Sequence, residues 1–498
     1  MNFNRAGGIL LHPTSLPGRY GIGDLGPQAF RFVDWLASTG SKLWQVLPLG
    51  PTGYGDSPYQ CFSAFAGNPY LISFDALMED GLLTGDDFVT MPQFSASSVD
   101  YGQLIPWKLY ILEKAFSRFS SAPEELRAGF EQFRAENASW LDDYALFMSI
   151  KEANGGGPWS EWDEPTRKRD VSLMEKARAS YPKSILRHSF YQFLFFRQWN
   201  RLKEYAHDNG ITIIGDIPIF IAYDSADAWA NPELFFLDDE SRPTVVAGVP
   251  PDYFSATGQL WGNPLYKWSE HRKNGYEWWI KRFHSVLNLV DIVRLDHFRG
   301  FAGYYEIPYG NPTAEHGRWV TGPGKDFFRA LYPALGGKDG ETLPIIAEDL
   351  GVITPDVVDL RDSFHLPGMK ILQFGFSSPA DPFLPHNYPS NCVAYTGTHD
   401  NDTVLGWYET APESEREYAC RYLDTDGSDI PWKMIRAIWS SVAVYAVTPM
   451  QDALGLGGEA RMNFPSRLGG NWNWRMDEKD MSEDLAARLR ELNQLFLR

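Results

Sequence analysis

The stretch from Asp291 to Gly300 reads DIVRLDHFRG, a short apolar strand that ends in several charged residues. Its apolar positions 293 and 295 alternate with Arg294 and Asp296, so the arginine and the aspartate project from the same face of the strand. Burying charge is costly unless the charge is paired. Such a pair at a strand end indicates a functional site or, alternatively, a structural ion pair, and the rest of the chain decides between the two.

Seven other short apolar stretches predict strands, near residues 9, 45, 214, 346, 371, 394 and 445. Most are separated by helical periodicity, so the eight strands predict an α/β chain folded as a (β/α)₈ TIM barrel. An open doubly wound sheet is the alternative. The barrel is favoured because four acids lie at or just past C-terminal strand ends, which meet at one mouth in a barrel. These acids are Asp216, Asp296, Glu348 and Asp400.

The 498 residues are predicted to form one catalytic barrel domain, residues 1–498, because no long Ser/Gly/Pro linker divides the chain. Two large insertions are expected, a loop and helical subdomain at about 50–205 and a lid loop region at about 218–275. About a hundred residues follow Asp400, only enough to finish a barrel of ordinary size, so a C-terminal β-sandwich should be missing.

The segment 245–264 contains Pro250, Pro251, Gly258 and Gly262, which predict a mobile loop. It is either a surface turn or an aromatic lid over a cleft. The side chains that such a lid would carry are Asp252, Tyr253, Phe254 and Trp261.

Composition excludes several partners. The formal net charge is −19 with no block of Lys or Arg, which argues against nucleic acid or an anionic membrane and fits a neutral ligand. No apolar run is long enough for a signal peptide or a membrane span. Three scattered cysteines, Cys61, Cys392 and Cys420, predict a reducing compartment with neither disulfides nor a zinc site. A cytoplasmic, soluble protein is expected.

The segment Gly21 to Gly26, GIGDLG, formally matches the dinucleotide-binding pattern GxGxxG. That pattern should follow its strand directly, and the next strand should end in an acid. Here about nine residues intervene and the next strand runs into Pro48, so a tight loop is the better interpretation.

Two carboxylates flanking a scissile bond suffice for glycoside chemistry. Asp296 suits the nucleophile because Arg294 beside it favours the ionised form. Glu348 follows an apolar run, and desolvation would raise its pKa as a general acid needs. His399 and Asp400 would hold sugar hydroxyls and support the oxocarbenium-like transition state.

The competing chemistry is a magnesium barrel enzyme in which an Asp/Glu/Asp set stabilises an enolate. That class needs a Lys or His base on neighbouring strands. The single lysine at a predicted barrel strand, Lys370, stands at the beginning of its strand, so metal-free glycoside chemistry is favoured.

The chain resembles the 4-α-glucanotransferases of the amylomaltase (disproportionating enzyme) family, glycoside hydrolase family 77, a branch of the α-amylase superfamily. The resemblance covers essentially the whole chain and rests on motifs in matching order and spacing. These are GDSPYQ from Gly55, GDIPIFIAYDSADAWANP from Gly215, VRLDHFRG from Val293, IAEDLG from Ile346, YTGTHDNDT from Tyr395 and ARMNFPSRLGGNWNWR from Ala460.

The resemblance implies Asp296 as the nucleophile, Glu348 as the acid/base and Asp400 as the transition-state stabiliser. It also implies a set of substrate-binding residues, namely Ser57, Tyr59, Asp216, Gln259, Trp261, Arg294, His399 and Asn463. The loop from Asp252 to Trp261 would cover the cleft. Tyr54 and Tyr101 match a second glucan-binding site. Neither a metal nor a cofactor is implied.

The function expected from this resemblance is transfer of α-1,4-glucan segments between maltooligosaccharides, or to glucose, by a retaining double displacement. Residue types alone leave open whether water or a sugar accepts the glucosyl group, so an α-1,4-glucan hydrolase on the same scaffold is the alternative. A non-catalytic glucan-binding protein is a further one. A monomer or weak homodimer is expected.

Overall fold

Twelve strands are present in the computed structural model, which describes residues 3–251, 255–337, 341–465, 467 and 469–498. In chain order they are β1 (Ala6–Leu10), β2 (Leu43–Gln45), β3 (Thr212–Pro218), β4 (Val245–Val249), β5 (Gln259–Pro264), β6 (Ile292–Asp296), β7 (Gly303–Pro308), β8 (Arg318–Thr321), β9 (Ile345–Ala347), β10 (Gly368–Ile371), β11 (Cys392–Tyr395) and β12 (Tyr445–Pro449).

Eight of these strands form a parallel sheet in the order β10-β11-β12-β1-β2-β3-β6-β9. The two ends of this order meet, because the N–H of Ala347 in β9 donates to the carbonyl oxygen of Pro367, one residue before β10, at 2.9 Å. The sheet is therefore a nearly closed barrel. The eight strands are those expected from the sequence, so the predicted TIM barrel is confirmed and the open doubly wound sheet is wrong.

Helices surround the barrel and fill the connections between its strands. In chain order they are α1 (Pro27–Ser38), α2 (Phe74–Glu79), α3 (Tyr101–Arg118), α4 (Glu124–Ala153), α5 (Glu164–Arg167), α6 (Val171–Ser180), α7 (Pro182–Asp208), α8 (Ala226–Ala230), α9 (Trp268–Lys273), α10 (Glu277–Leu289), α11 (Gly324–Ala334), α12 (Pro355–Ser363), α13 (Val404–Thr410), α14 (Glu413–Leu423), α15 (Ile430–Ser440), α16 (Met450–Ala453) and α17 (Glu483–Phe496).

Local sequence explains where the barrel helices begin. Helix α1 has Pro27 at its first position, where a missing N–H costs nothing, and buries Phe32 and Leu36 on one face. The side chain of Ser482 accepts the N–H of Leu485 and so caps α17. The GxGxxG segment before α1 is a loop. A Cβ on Gly23 would lie 2.0 Å from the carbonyl oxygen of Pro13, so glycine serves close packing here.

Six of the helices, α2 to α7, lie between β2 and β3, in the region expected to be an insertion. The last of them, α7, runs directly into β3 and is tied to the barrel, because the indole of Trp199 donates to the carbonyl oxygen of Leu289 at 2.7 Å. The division of residues 1–498 into a barrel with two insertions stays a prediction.

The segment 245–264 differs from the expected loop. Strands β4 and β5 pair antiparallel, and β4 also pairs with β7, which continues to β8, so a second four-stranded sheet lies beside the barrel mouth. The close pairing needs Gly248, where a Cβ would meet the carbonyl oxygen of Gln259 at 2.3 Å. Asp252, Tyr253 and Phe254 of the expected lid lie outside the described residues.

The described residues after Tyr395 contain one strand, β12, which belongs to the barrel, and otherwise helices and loops. They form no β-sandwich, as expected. None of the helices formed by the described part of the chain is long and apolar enough to cross a membrane.

The tight packing between the first two barrel strands generates a stability prediction. A Cβ on Gly8 would lie 2.4 Å from both the Cβ and the backbone oxygen of Leu43, and the backbone oxygen has no rotamer by which to escape. We expect Gly8→Ala to lower the free energy of unfolding by about 1–3 kcal/mol, the usual range for overpacking. Thermal unfolding followed by circular dichroism measures this.

The matched control is Gly85→Ala, since a Cβ at that exposed position meets no atom within 4 Å. An equal loss of stability in both variants would contradict the packing argument.

Candidate active site

A buried arginine joins two aspartates at the barrel mouth. Strands β3 and β6 are neighbours in register, which places Asp216 opposite Arg294. The Arg294 guanidinium contacts Asp216 at 2.6 Å and Asp296 at 2.8 Å. Asp216 and Arg294 are buried, whereas the Asp296 side chain is 26% exposed toward the open mouth. Of these three side chains, Asp296 alone is accessible from the opening, and the arginine holds its carboxyl group in place.

The loop after β2 brings Tyr59 against this group. Its hydroxyl donates to the same Asp216 oxygen that Arg294 contacts, at 2.9 Å. Its ring stacks on His399 with centroids 5.0 Å apart and planes 17° apart. The Ser57 hydroxyl accepts the Tyr59 N–H at 3.2 Å and fixes the turn before it. Tyr59 therefore forms a wall of the site that is anchored from three sides.

The loop after β11 places Asp400 at the mouth beside His399, the residue on which Tyr59 stacks. The Asn463 amide donates to an Asp400 carboxylate oxygen at 2.7 Å, and His399 lies 3.4 Å from the same oxygen. The Asp400 side chain remains 49% exposed. Burial lowers the pKa of His399 although Asp400 opposes the shift, so the imidazole is neutral. Asp400 is thus oriented and accessible to a ligand.

Glu348 follows β9 directly and is held by the backbone. One carboxyl oxygen accepts the N–H of His297 at 2.7 Å, and the other accepts the N–H of Leu350 at 3.0 Å. Burial raises the pKa of Glu348 to about 8, while Arg294 opposes and Asp296 adds to the rise. The raised pKa favours the protonated form of Glu348, which a general acid needs.

The second sheet reaches the site through Trp261 on β5. Its indole ring lies edge-on to the His297 ring with centroids 4.8 Å apart, and its N–H donates to the Gln259 side chain at 3.1 Å. His297 has a left-handed backbone, φ 50°, which is costly for a residue with a side chain and is often found at functional sites. This conformation directs the His297 N–H toward Glu348.

The structure brings together most of the residues that the sequence singles out. Around one opening lie Ser57, Tyr59, Asp216, Gln259, Trp261, Arg294, Asp296, Glu348, His399, Asp400 and Asn463. The two residues of the predicted second glucan site differ in their exposure to solvent. Tyr54 is 74% exposed, whereas Tyr101 is partly buried and donates to the Trp472 carbonyl oxygen at 2.9 Å.

Sequence reasoning gave no role to three residues of this site. The ring centroid of Trp472 lies 5.8 Å from those of both Tyr59 and His399. Arg461 donates to the Asp400 carbonyl oxygen at 2.6 Å. The N–H of His297 donates to the Glu348 carboxyl group. All three stand within motifs that the sequence analysis quotes. No sequence pattern points to His297, because its role depends on a left-handed backbone conformation that the amino-acid sequence does not reveal.

In the part of the chain that the structure describes, no three His, Cys, Asp or Glu side chains are grouped to hold a metal ion. The position between Asp216 and Asp296 is occupied by the Arg294 guanidinium, so the protein itself supplies the positive charge there.

Comparisons with known proteins agree with this site. The sequence profile of the 4-alpha-glucanotransferase family matches residues 11–481. This chain belongs to that family. It is 52% identical to the 4-alpha-glucanotransferase of Thermus thermophilus over 99% of each chain. It is 50% identical to that of Synechocystis sp. (strain ATCC 27184 / PCC 6803 / Kazusa), over 99% of this chain and 98% of the relative.

Among solved structures, the amylomaltase of Streptococcus agalactiae in complex with acarbose matches with a TM-score of 0.95, at 41% identity and over 99% of each chain. The expected amylomaltase fold and 4-α-glucanotransferase activity are therefore confirmed. The roles of individual residues stay predictions.

The pKa of Glu348 generates a prediction for this 4-α-glucanotransferase. A general acid works in its protonated form, so kcat/KM on maltotriose should fall as the pH rises through about 8. With α-maltosyl fluoride, whose leaving group departs without a proton, the decline in single-turnover fluoride release should vanish. A decline of equal size with both donors would remove Glu348 from the acid role. The control is Glu348→Gln, whose residual activity on maltotriose should lack this alkaline limb.

Proposed function

We propose that this 4-α-glucanotransferase acts on α-1,4-glucans by a retaining double displacement, with Asp296 as nucleophile and Glu348 as acid and base. The observation that carries the proposal is the contrast between the two carboxyl groups. Asp296 is ion-paired with Arg294 and reaches the opening, whereas burial raises the pKa of Glu348 to about 8. Environments that separate two carboxyl groups in this way assign one as nucleophile and the other as acid.

In the first step Glu348 gives its proton to the glycosidic oxygen, and the bond between that oxygen and C1 breaks. An Asp296 oxygen forms a bond to C1, and the leaving segment departs with a new 4-hydroxyl. Positive charge develops at C1 and the ring oxygen. We assign its stabilisation to the two carboxyl side chains at the opening, Asp296 and Asp400.

In the second step the 4-hydroxyl of another glucan, or of glucose, attacks C1. Glu348, now a carboxylate, accepts the proton of that hydroxyl, and the bond between C1 and Asp296 breaks. The original configuration at C1 is restored. Because the proton lost in the first step returns in the second, the enzyme ends the cycle as it began.

The remaining residues are assigned to binding. Neutral His399 and the Asn463 amide next to Asp400 suit hydrogen bonds to sugar hydroxyls, and Arg294 orients the nucleophile. Tyr59 and Trp261 offer apolar rings at the opening, suited to pyranose faces. Asp216 holds both Tyr59 and Arg294 in place. A second glucan site at Tyr54 and Tyr101 remains part of the proposal.

The substrates proposed are maltooligosaccharides and starch-type α-1,4-glucans, with neither nucleic acid nor membrane as partner. Three free cysteines and a net charge of −19 support a cytoplasmic enzyme that binds neutral ligands. A monomer or weak homodimer is proposed as the assembly.

The deciding experiment uses pure maltotriose, with the products resolved by chain length while the total of reducing ends is followed. We expect glucose and a ladder of longer maltooligosaccharides at a constant number of reducing ends, because transfer breaks one glycosidic bond for each one that it makes. A rising number of reducing ends with shorter products alone would identify water as the acceptor and favour a hydrolase.

The nucleophile is tested by Asp296→Asn, which keeps the shape of the side chain and removes its charge. Turnover of maltotriose should fall by about 10⁴-fold or more, as for other essential nucleophiles. Binding of maltotriose, measured by calorimetry, should persist, which separates the loss from unfolding. Asp86→Asn makes the same change at an exposed residue of the short 3₁₀ helix Gly85–Phe88 and should leave turnover intact. Undiminished turnover in Asp296→Asn would contradict the assignment of Asp296 as the nucleophile.

A further inference from the structure

Trp319 on β8 is an exposed aromatic residue outside the site described above. Its side chain is 44% exposed, and it pairs across the sheet with Tyr305, whose ring meets the indole edge-on at 5.3 Å between centroids. Isolated exposed aromatics are common on protein surfaces and need no function. What sets Trp319 apart is the group beneath it.

One face of the Trp319 indole rests on the Arg299 guanidinium, whose central carbon lies 3.8 Å from the ring centroid. Arg299 is itself buried and donates to the carbonyl oxygen of Val352. A buried, hydrogen-bonded guanidinium under the ring limits the rotation of the indole. The outer face is therefore presented in a fixed orientation, which lowers the entropy lost when a ligand stacks on it.

Arg299 connects this ring to both catalytic loops. It stands three residues after Asp296, so its Cα lies within about 11 Å of that of Asp296. Its partner Val352 stands four residues after Glu348 in the exposed loop that follows β9. These contacts place the ring beside the loops that follow β6 and β9.

This position determines which part of a glucan the ring would meet. The acid protonates the oxygen of the leaving segment, so that segment, and the acceptor that later replaces it, extends on the Glu348 side. Along β8, Thr321 is exposed on the same face as Trp319, about 6.7 Å away along the strand. An apolar ring with a hydroxyl beside it suits a pyranose face and its hydroxyl rim.

We propose that Trp319, supported by Arg299, forms an outer acceptor subsite that binds a sugar unit of a longer α-1,4-glucan beyond the residues around the reacting bond. The proposal rests on the function proposed above and extends it to the choice of acceptor length. Glucose, as a single unit at the reacting position, would not reach the ring.

The test keeps the donor fixed and changes the acceptor. Transfer from α-maltosyl fluoride is measured with glucose and with maltopentaose as acceptors, and the ratio of the two kcat/KM values is the readout. In Trp319→Ala the ratio of maltopentaose to glucose should fall about 3- to 10-fold, the size expected for a lost stacking contact. Trp319→Phe keeps a smaller ring and should give an intermediate ratio.

Tyr110→Ala is the matched control, because Tyr110 is 53% exposed and also carries a cation over its ring, Lys114 at 4.7 Å, but lies on α3. Its ratio should equal that of the unchanged enzyme. An unchanged ratio in Trp319→Ala, or an equal fall in Tyr110→Ala, would overturn the subsite. Fluoride release by Trp319→Ala without acceptor, together with its unfolding temperature, separates a lost subsite from a misfolded protein.

Failure of the subsite and failure of the proposed function give different results. If Asp296→Asn still releases fluoride and transfers maltosyl groups, the double displacement falls whatever Trp319 does. If Asp296→Asn is inactive and Trp319→Ala keeps the acceptor ratio of the unchanged enzyme, the proposed subsite is contradicted and the double displacement is not.

Discussion

The pairing of Arg294 with two aspartates is the constraint on which the site depends. A buried guanidinium is costly unless ion pairs or hydrogen bonds compensate it, and here one carboxylate partner comes from its own strand and the other from the neighbouring strand. The parallel register of β3 and β6 supplies that second partner. The barrel register thus supplies the ion pair that stabilises the buried Arg294, and Arg294 in turn fixes the carboxyl group of Asp296, which faces the opening. The hydroxyl of Tyr59 joins the same network by donating to Asp216.

Glu348 shows how two acids a short distance apart acquire different chemistry. Asp296 has a cation within hydrogen-bond distance, whereas Glu348 has two backbone N–H groups in an otherwise desolvated position. Backbone donors orient the carboxyl group but compensate its burial less than a paired guanidinium would, so its pKa rises. The strained backbone of His297 is part of this device, and the ring of His297 meets Trp261 from the second sheet. A movement of β5 at Trp261 would therefore reach Glu348 through His297, whose ring contacts Trp261 and whose N–H donates to Glu348.

Much of the fold and of the site follows from the sequence. All eight barrel strands are recognisable, since each is a short apolar run and several end in an acid, and the acids then mark the mouth. The hairpin of β4 and β5 was missed because its Pro and Gly residues suggest a loop, while the residues of β7 that pair with β4 lie about sixty positions further along the chain. Nonlocal pairing of this kind leaves no local pattern. The left-handed His297 and the packing of Trp472 likewise depend on tertiary contacts.

The choice between sugar and water as acceptor is set by binding energy more than by the reacting groups. Both acceptors need the same Glu348 carboxylate, and water is always present at high concentration. A sugar wins when contacts remote from C1 hold its 4-hydroxyl in line and exclude water, so that orientation is settled before the chemical step. Rigid aromatic faces serve this purpose, because little motion remains to be lost on binding. A pair of carboxyl groups without such surroundings would transfer the glucosyl group to water. The aromatic side chains around the pair allow a sugar to compete with water as the acceptor.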